Sequence, residues 1–290
     1  VPTQLTPEIS QWVHEQLSRG CLVEEMIEAM IAVGHPPGAA REIIITAAAR
    51  QRGAAAGTTA AARAALDAPE ARLSVPEPLP DGDTLSVVTP DRVVPVLAQL
   101  RRPRVIVFGS VLSGEECDAL IRESTPKLER SRTVDRASGL TELNAARTSE
   151  GTYFQHDESP LLRTINARIA ALTRWPLVNG EPLQILHYGV GAQYLPHYDY
   201  FDLTDPGTPV LVARGGQRVA TLIIYLNDPE AGGATTFPDI GFEVVPKRGN
   251  AVFFSYDHPH AETLTLHSGA PLAAGEKWIA TRWMRERAYL

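Results

Sequence analysis

From residue 182 onward the chain is a succession of short runs rich in β-branched and aromatic residues, each cut off by Gly, Pro, Asn or Asp. The runs are PLQILHY, AQYLPHYD, RVATLIIYLN, GATTF, FEVV, NAVFFS, AETLTL and KWIATRWM. Runs this short, with Gly, Pro and Asp between them, argue against a parallel βαβ sheet. They predict strands closing into a jelly roll or barrel. Upstream, RVIVF reads as a buried strand, and SGEECDALIRES as a helix opened by a capping box of Ser113 with Glu116. A further helix follows Ser159-Pro160, with Leu162, Ile165, Ile169 and Leu172 along one side. The fold class expected is α+β, a jelly-roll core with supporting helices.

Within those strands, His197 and Asp199 stand two apart. Side chains two apart in a strand share a face, so both can reach one metal ion. A third ligand must come from a strand distant in sequence and adjacent in space, and His267, closing AETLTL, is placed for it. Two imidazoles and one carboxylate on one face of an ion leave three neighbouring positions open, as in non-haem Fe(II) oxygenases. A chance His-x-Asp pair in a turn or surface ion pair is the competing reading of those two residues alone.

Lys277 opens KWIATRWM, and alternation puts it on one face with Ile279, Thr281 and Trp283. A fixed cation there can pair with the distal carboxylate of a 2-oxo diacid. Tyr225 and Tyr188 can each add a phenol hydrogen bond, or can be core aromatics with satisfied hydroxyls.

The segments LQILHYGVGAQYLPHYDYFD, GQRVATLIIYLNDPEAGGATTFPDIGFEVVPKRGNAVFF and LHSGAPLAAGEKWIATRWMRER, in that order, resemble the catalytic domain of the prolyl 4-hydroxylase family over about residues 103 to 287. ARTSEGTYF and the helix INARIAALT resemble its support region. The resemblance implies a double-stranded β-helix with iron on His197, Asp199 and His267, and Lys277 pairing with 2-oxoglutarate. It implies cosubstrate-pocket roles for Tyr188 and Tyr225, pocket-wall positions for Thr221 and Thr281, and substrate-side positions for Tyr194 and Trp283. The expected reaction couples hydroxylation of a C–H bond to decarboxylation of 2-oxoglutarate to succinate and CO2. The cofactors are Fe(II), 2-oxoglutarate and O2, with ascorbate a candidate reductant. Retention of Asp199 argues against a halogenase. The substrate expected is proline in a peptide or protein. A free amino acid or small natural product stays open, and a non-catalytic jelly-roll binding module is the rival from another class.

The segment YFDLTDPGTPVLVARGGQR is the expected lid. There Arg214 or Arg218 either contacts substrate or is a solvated loop charge. His258 and His260 read as part of the loop before His267 rather than as further ligands. Lys247-Arg248-Gly249 reads as a hairpin turn.

The first stretch predicts three short helices over residues 1–52, with Trp12, Ile27 and Met30 in a core of their own. An Ala- and Pro-rich linker follows over 53–83, and the oxygenase domain over 84–290. A formal charge of -7 argues against a nucleic-acid or anionic-membrane partner. Two cysteines, Cys21 and Cys117, are too few for a disulfide framework. No apolar run approaches the ~20 residues a membrane span needs, and VPTQLTPEISQWVHEQL lacks the blocks of a signal peptide. The expected setting is cytoplasmic, with oligomeric state left open.

Overall fold

The computed structural model describes residues 72–80, 82, 84–131, 133–134, 141–142 and 148–290. Nearer the start it describes 9, 11–13, 16, 23–32, 35–36, 39–40 and 43–44. The chain divides into two compact units, Val1–Glu70 and Ala71–Leu290.

In the first unit, α1 spans Val23–Ala32. Val13, Met26, Met30, Ala40, Ile43 and Ile44 are buried together, with Ile9, Trp12 and Ile27 packed against them. The other two expected helices lie only partly within the described residues. Cys21 and the Ala-rich stretch up to residue 71 lie outside them, as does the start of ARTSEGTYF.

Among the described residues the second unit carries two larger antiparallel sheets and two two-stranded ribbons, Thr133–Val134 with Thr141–Glu142 and Ala231–Gly232 with Leu272–Ala274. The strands of the two larger sheets are β1 (Ser86–Val88), β2 (Val93–Arg101), β3 (Arg104–Phe108), β4 (Glu129–Arg130), β5 (Glu150–Phe154), β6 (Leu183–Tyr188) and β7 (Tyr194–His197). There follow β8 (Arg218–Tyr225), β9 (Thr235–Phe237), β10 (Phe242–Val244), β11 (Ala251–Ser255), β12 (His267–Gly269) and β13 (Lys277–Arg285). The large sheet has the order β1-β2-β3-β11-β8-β13-β6-β5-β4, and the small one β10-β9-β12-β7. Mixed α and β structure with large antiparallel sheets is consistent with a jelly-roll core.

Alternation along the central strands decides what each face does. Leu222 and Ile224 of β8, Ala280 and Met284 of β13, and Leu183 and Ile185 of β6 share one core cluster with helix residues. Those residues come from α2 (Gly114–Ser124) and α3 (Pro160–Thr173): Cys117, Leu120, Leu162, Ile165, Ile169 and Leu172. The opposite residues, Ile223, Tyr225, Ile279, Leu186 and Tyr188, pack with Phe237 and Val244 of the small sheet. Both faces of the central strands are therefore buried. This explains runs such as ATLIIYL that are buried throughout.

The helices begin where the sequence predicts. Ser113 accepts from Glu116 N and the Glu116 side chain accepts from Ser113 N. Ser159 accepts from Leu162 N, with Pro160 in the first turn. The Lys247–Asn250 turn closes through Asn250 N to Lys247 O at 2.9 Å, with Gly249 left-handed at φ +80°. A Cβ at Gly249 would meet Leu112 O at 2.4 Å, so only glycine fits.

Two expectations are corrected. AETLTL is not a strand: Ala261–Thr263 is a 3-10 turn and Leu264 is left-handed at φ 54°, so the chain reverses there and β12 begins at His267. Asp199 lies just beyond the end of β7 rather than within it. Residues 72–80, read from sequence within the linker, lie in the second unit, where Leu79 is buried in the main core.

Arg168, fully buried on α3, ties the helices to the sheet edge by pairing with Asp91 and, at 2.6 Å, with Glu116. Removing a buried cation strands its carboxylate partners, at about 3–5 kcal/mol. Arg168→Ala should lower the unfolding free energy obtained from urea titration by about that amount. Arg168→Met, which keeps the packing volume, should show the same stranded-charge loss with a smaller packing penalty. Unaltered stability of Arg168→Ala would show that the pair does not hold the helix layer.

Candidate functional site

The pairing of β7 with β12 sets His197 directly opposite His267. The chain leaving β7 brings Asp199 between them: its Oδ1 is 3.5 Å from His197 Nε2 and its Oδ2 is 3.5 Å from His267 Nε2. Ligand atoms of the three residues lie within 4.8 Å of one another. Each imidazole gives its Nδ1–H to a backbone carbonyl two residues earlier, His197 to Leu195 O at 2.8 Å and His267 to Thr265 O at 3.0 Å. That fixes the tautomer and leaves both Nε2 lone pairs turned toward the carboxylate, an arrangement that suits a metal ion.

The surroundings prepare these groups for that work. Burial holds His267 down to about 4, so the ring is neutral at ordinary pH. Burial alone would raise the Asp199 carboxyl, but His267, His197 and Arg218 keep it well below the usual carboxylate range. The Thr221 hydroxyl donates to Asp199 Oδ2 at 2.6 Å. Tyr256 in turn donates to Thr221 at 2.9 Å, because the Thr221 proton is already committed to the carboxylate. Burial, with Asp199 nearby, pushes the Tyr256 phenol well up, so it remains a donor.

A pocket opens onto this triad. Its wall includes Tyr188, Tyr194, Thr221, Lys277, Thr281 and Trp283 together with all three triad residues. Lys277 faces Tyr188 across the β13–β6 ladder, with its Nζ 5.4 Å from that ring. Lys277 is 3% exposed, and its ammonium has no carboxylate partner among the described residues. Burial brings its pKa from 10.5 to about 8. A buried cation without a counter-charge is costly, and the cost is relieved by an anionic ligand. The residues thus fit a divalent metal at one part of the pocket and a carboxylate at another, which is the shape of 2-oxoglutarate chelated to iron.

The remaining sequence candidates sit differently. Tyr194 stacks on His197 at 3.7 Å. Tyr225 is fully buried with its hydroxyl given to Thr235 at 2.8 Å, and it is not part of the pocket wall. Arg218 is not a solvated lid charge and does not line the pocket. It makes a two-pronged pair with Glu181 (2.7 and 2.9 Å), lies 4.1 Å over the Trp283 ring and reaches Asp199 O at 3.5 Å. Arg214 also turns away from the pocket, bonding Leu290 O at 2.7 Å and covering the Tyr289 ring. The lid segment contains α4 (Thr208–Ala213) and is held by buried Gln217, whose amide bonds Phe201 N and O.

Sequence reasoning missed Tyr256, Glu181 and Thr235. Tyr256 was within reach, since alternation through NAVFFS carries Phe254 and Tyr256 onto the site face. Thr235 and Glu181 carry no local signal.

The sequence has relatives among known proteins. Residues 183–285 match the model of the 2OG-Fe(II) oxygenase superfamily. The chain is 37% identical over 207 residues to a probable prolyl 4-hydroxylase of Arabidopsis thaliana (number 7), covering 64% of each protein. Over 208 residues it is 37% identical to a second from that plant (number 3), covering 64% of this chain and 71% of the relative. The chain thus spans just under two thirds of the first relative. Among solved structures, a viral collagen prolyl hydroxylase from Paramecium bursaria Chlorella virus-1, as its 2OG complex, aligns at 31% identity. Its TM-score is 0.49, over 62% of this chain and 95% of the other. Sequence identity sustained across so much of the second plant relative shows that the chain belongs to the prolyl 4-hydroxylase family of 2-oxoglutarate- and Fe(II)-dependent oxygenases.

Proposed function

We propose that this chain hydroxylates proline in a peptide or protein, with Fe(II) held by His197, Asp199 and His267 and 2-oxoglutarate anchored by Lys277. The observation that carries this reading is the pocket itself: an inward-facing His, Asp, His triad shares one wall with a buried lysine that has no carboxylate partner among the described residues. The proline substrate is drawn from the relatives, whose names give prolyl hydroxylation.

When bound, Fe(II) with 2-oxoglutarate and O2 supplies the oxidising chemistry, and 2-oxoglutarate leaves as succinate and CO2. The chain's own residues do the positioning. His197 and His267 turn Nε2 toward the site because their Nδ1 protons are tied to the backbone. Thr221 donates to Asp199 Oδ2 and holds the carboxylate in place, which would leave Oδ1 the freer oxygen for the metal. The Lys277 ammonium neutralises the distal carboxylate, and Leu186, Ile223 and Ile279 keep that end of the pocket dry. Tyr194 and Trp283 are the proposed substrate-side contacts.

The direct test is incubation with Fe(II), 2-oxoglutarate, O2 and ascorbate against proline-containing peptides, their Pro→Ala counterparts and free amino acids. Succinate release matched by gain of one oxygen on the proline peptide alone is the expected result. Oxygen gain on free amino acids alone would move the substrate to a small molecule. Succinate absent under every condition would contradict the oxygenase reading, and His267→Ala should show that same absence.

Removing the Thr221 hydroxyl should weaken Fe(II) binding about 10–100-fold, the usual cost of a lost outer partner. Thr221→Val should show this in a chelator competition and Thr221→Ser should restore it. Equal losses in both variants would assign Thr221 a packing role only.

Lys277 predicts a pH dependence. Its charged form is the binding form and its folded pKa is about 8. The dissociation constant of 2-oxoglutarate should therefore be flat below pH 8 and rise about tenfold per unit above it. Lys277→Ala should weaken binding at pH 7 by about 1.5–3 kcal/mol, and Lys277→Arg should flatten the profile. A wild-type profile that stays level from pH 7 to 9.5 would place the anchoring cation elsewhere.

A further inference from the structure

Between β11 and β12 the loop runs Asp257, His258, Pro259, His260, Ala261, Glu262, with donor residues at every second position. Ligand atoms of His258, His260 and Glu262 lie within 4.8 Å of one another. None of the three lines the pocket that holds the His197, Asp199, His267 triad. His258 and Glu262 instead form part of the wall of a separate cavity of about 330 Å³. We propose that His258, His260 and Glu262 form a second metal site, one for a borderline divalent ion such as Zn2+.

The local chemistry fits an ion better than a plain loop. His258 Nδ1 is 2.7 Å from Asp257 Oδ1, so the ring donates there and its Nε2 keeps the lone pair. Asp257 is itself fixed, its Oδ2 pairing with Arg72. A carboxylate behind a partly buried histidine is the usual outer support of a zinc ligand. The His258 and His260 rings lie 5.9 Å apart and nearly parallel, at 12°. His260 Nδ1 stands 3.9 Å from Glu262 Oε2. Tetrahedral zinc with bonds near 2.0–2.1 Å needs donors roughly 3.4 Å apart, so a small inward rotation of exposed side chains closes the site. In closing, His260 gives up only the long 3.2 Å bond that it accepts from Glu262 N. Two imidazoles and a carboxylate leave a fourth position for water. An ion there would pin the loop from which His267 is delivered.

The test is a calorimetric titration of chelator-stripped full-length protein with Zn2+ alone. Two equivalents should bind to the wild type, one at each cluster. His260→Ala with Glu262→Gln, both exposed and outside the catalytic pocket, should bind one equivalent and still release succinate with Fe(II) and 2-oxoglutarate. Asp257→Asn should keep two equivalents, with the loop site at least tenfold weaker. The complementary His267→Ala should keep the loop site at wild-type affinity while the catalytic site weakens. A wild type that binds a single equivalent, or a loop variant that still binds two, would overturn the proposal.

Discussion

The short ladder between β7 and β12 is the constraint on which the rest depends. By pairing His197 with His267 it converts two residues far apart in sequence into neighbours whose Nε2 atoms converge on Asp199. A slip of one residue would turn one imidazole to the opposite face and abolish the convergence. The register is protected by what surrounds it. β12 also pairs with β9, and Phe254 from the large sheet packs at 4.6 Å against the His267 ring.

The large sheet supplies the second half of the site by the same period-two rule. Residues of β8 and β13 that face the helices build the main core, while their neighbours Thr221, Lys277, Thr281 and Trp283 face the pocket. Packing of α2 and α3 is thereby coupled to the orientation of the catalytic face. The polar groups on and beside that face are then satisfied in relays: Tyr256 to Thr221 to Asp199 on one side, and Arg218 to Glu181 beneath Trp283 on the other. In a dry interior such relays fix geometry because each member loses much if left unpaired.

How much of this could be read from the chain follows from which forces act locally. The strands were legible because burial on one or both faces imprints alternation or continuous apolar runs, as in RVATLIIYLN. Helix starts were legible because Ser113 with Glu116 spells a capping box and Pro160 follows Ser159. The triad was legible because its residue types are chemically demanding. AETLTL misled because its alternating leucines mimic a strand, whereas the left-handed Leu264 turns the chain. Arg218 misled because its flanking Gly-Gly-Gln suggests a loop, while the Glu181 that buries it lies 37 residues upstream. Tyr225 was placed on the correct face, but its hydroxyl is taken up by Thr235 of the small sheet, a contact that no spacing announces.

The central claim is that the triad and Lys277 together hold Fe(II) and 2-oxoglutarate in one pocket. Its most direct test is the visible absorbance of the anaerobic protein as Fe(II) and 2-oxoglutarate are added separately and together. A charge-transfer band requires the 2-oxo acid to chelate Fe(II). The account predicts a band only when both are present, appearing at higher 2-oxoglutarate concentrations in Lys277→Ala. A folded protein that binds Fe(II) yet develops no band with excess 2-oxoglutarate would contradict it.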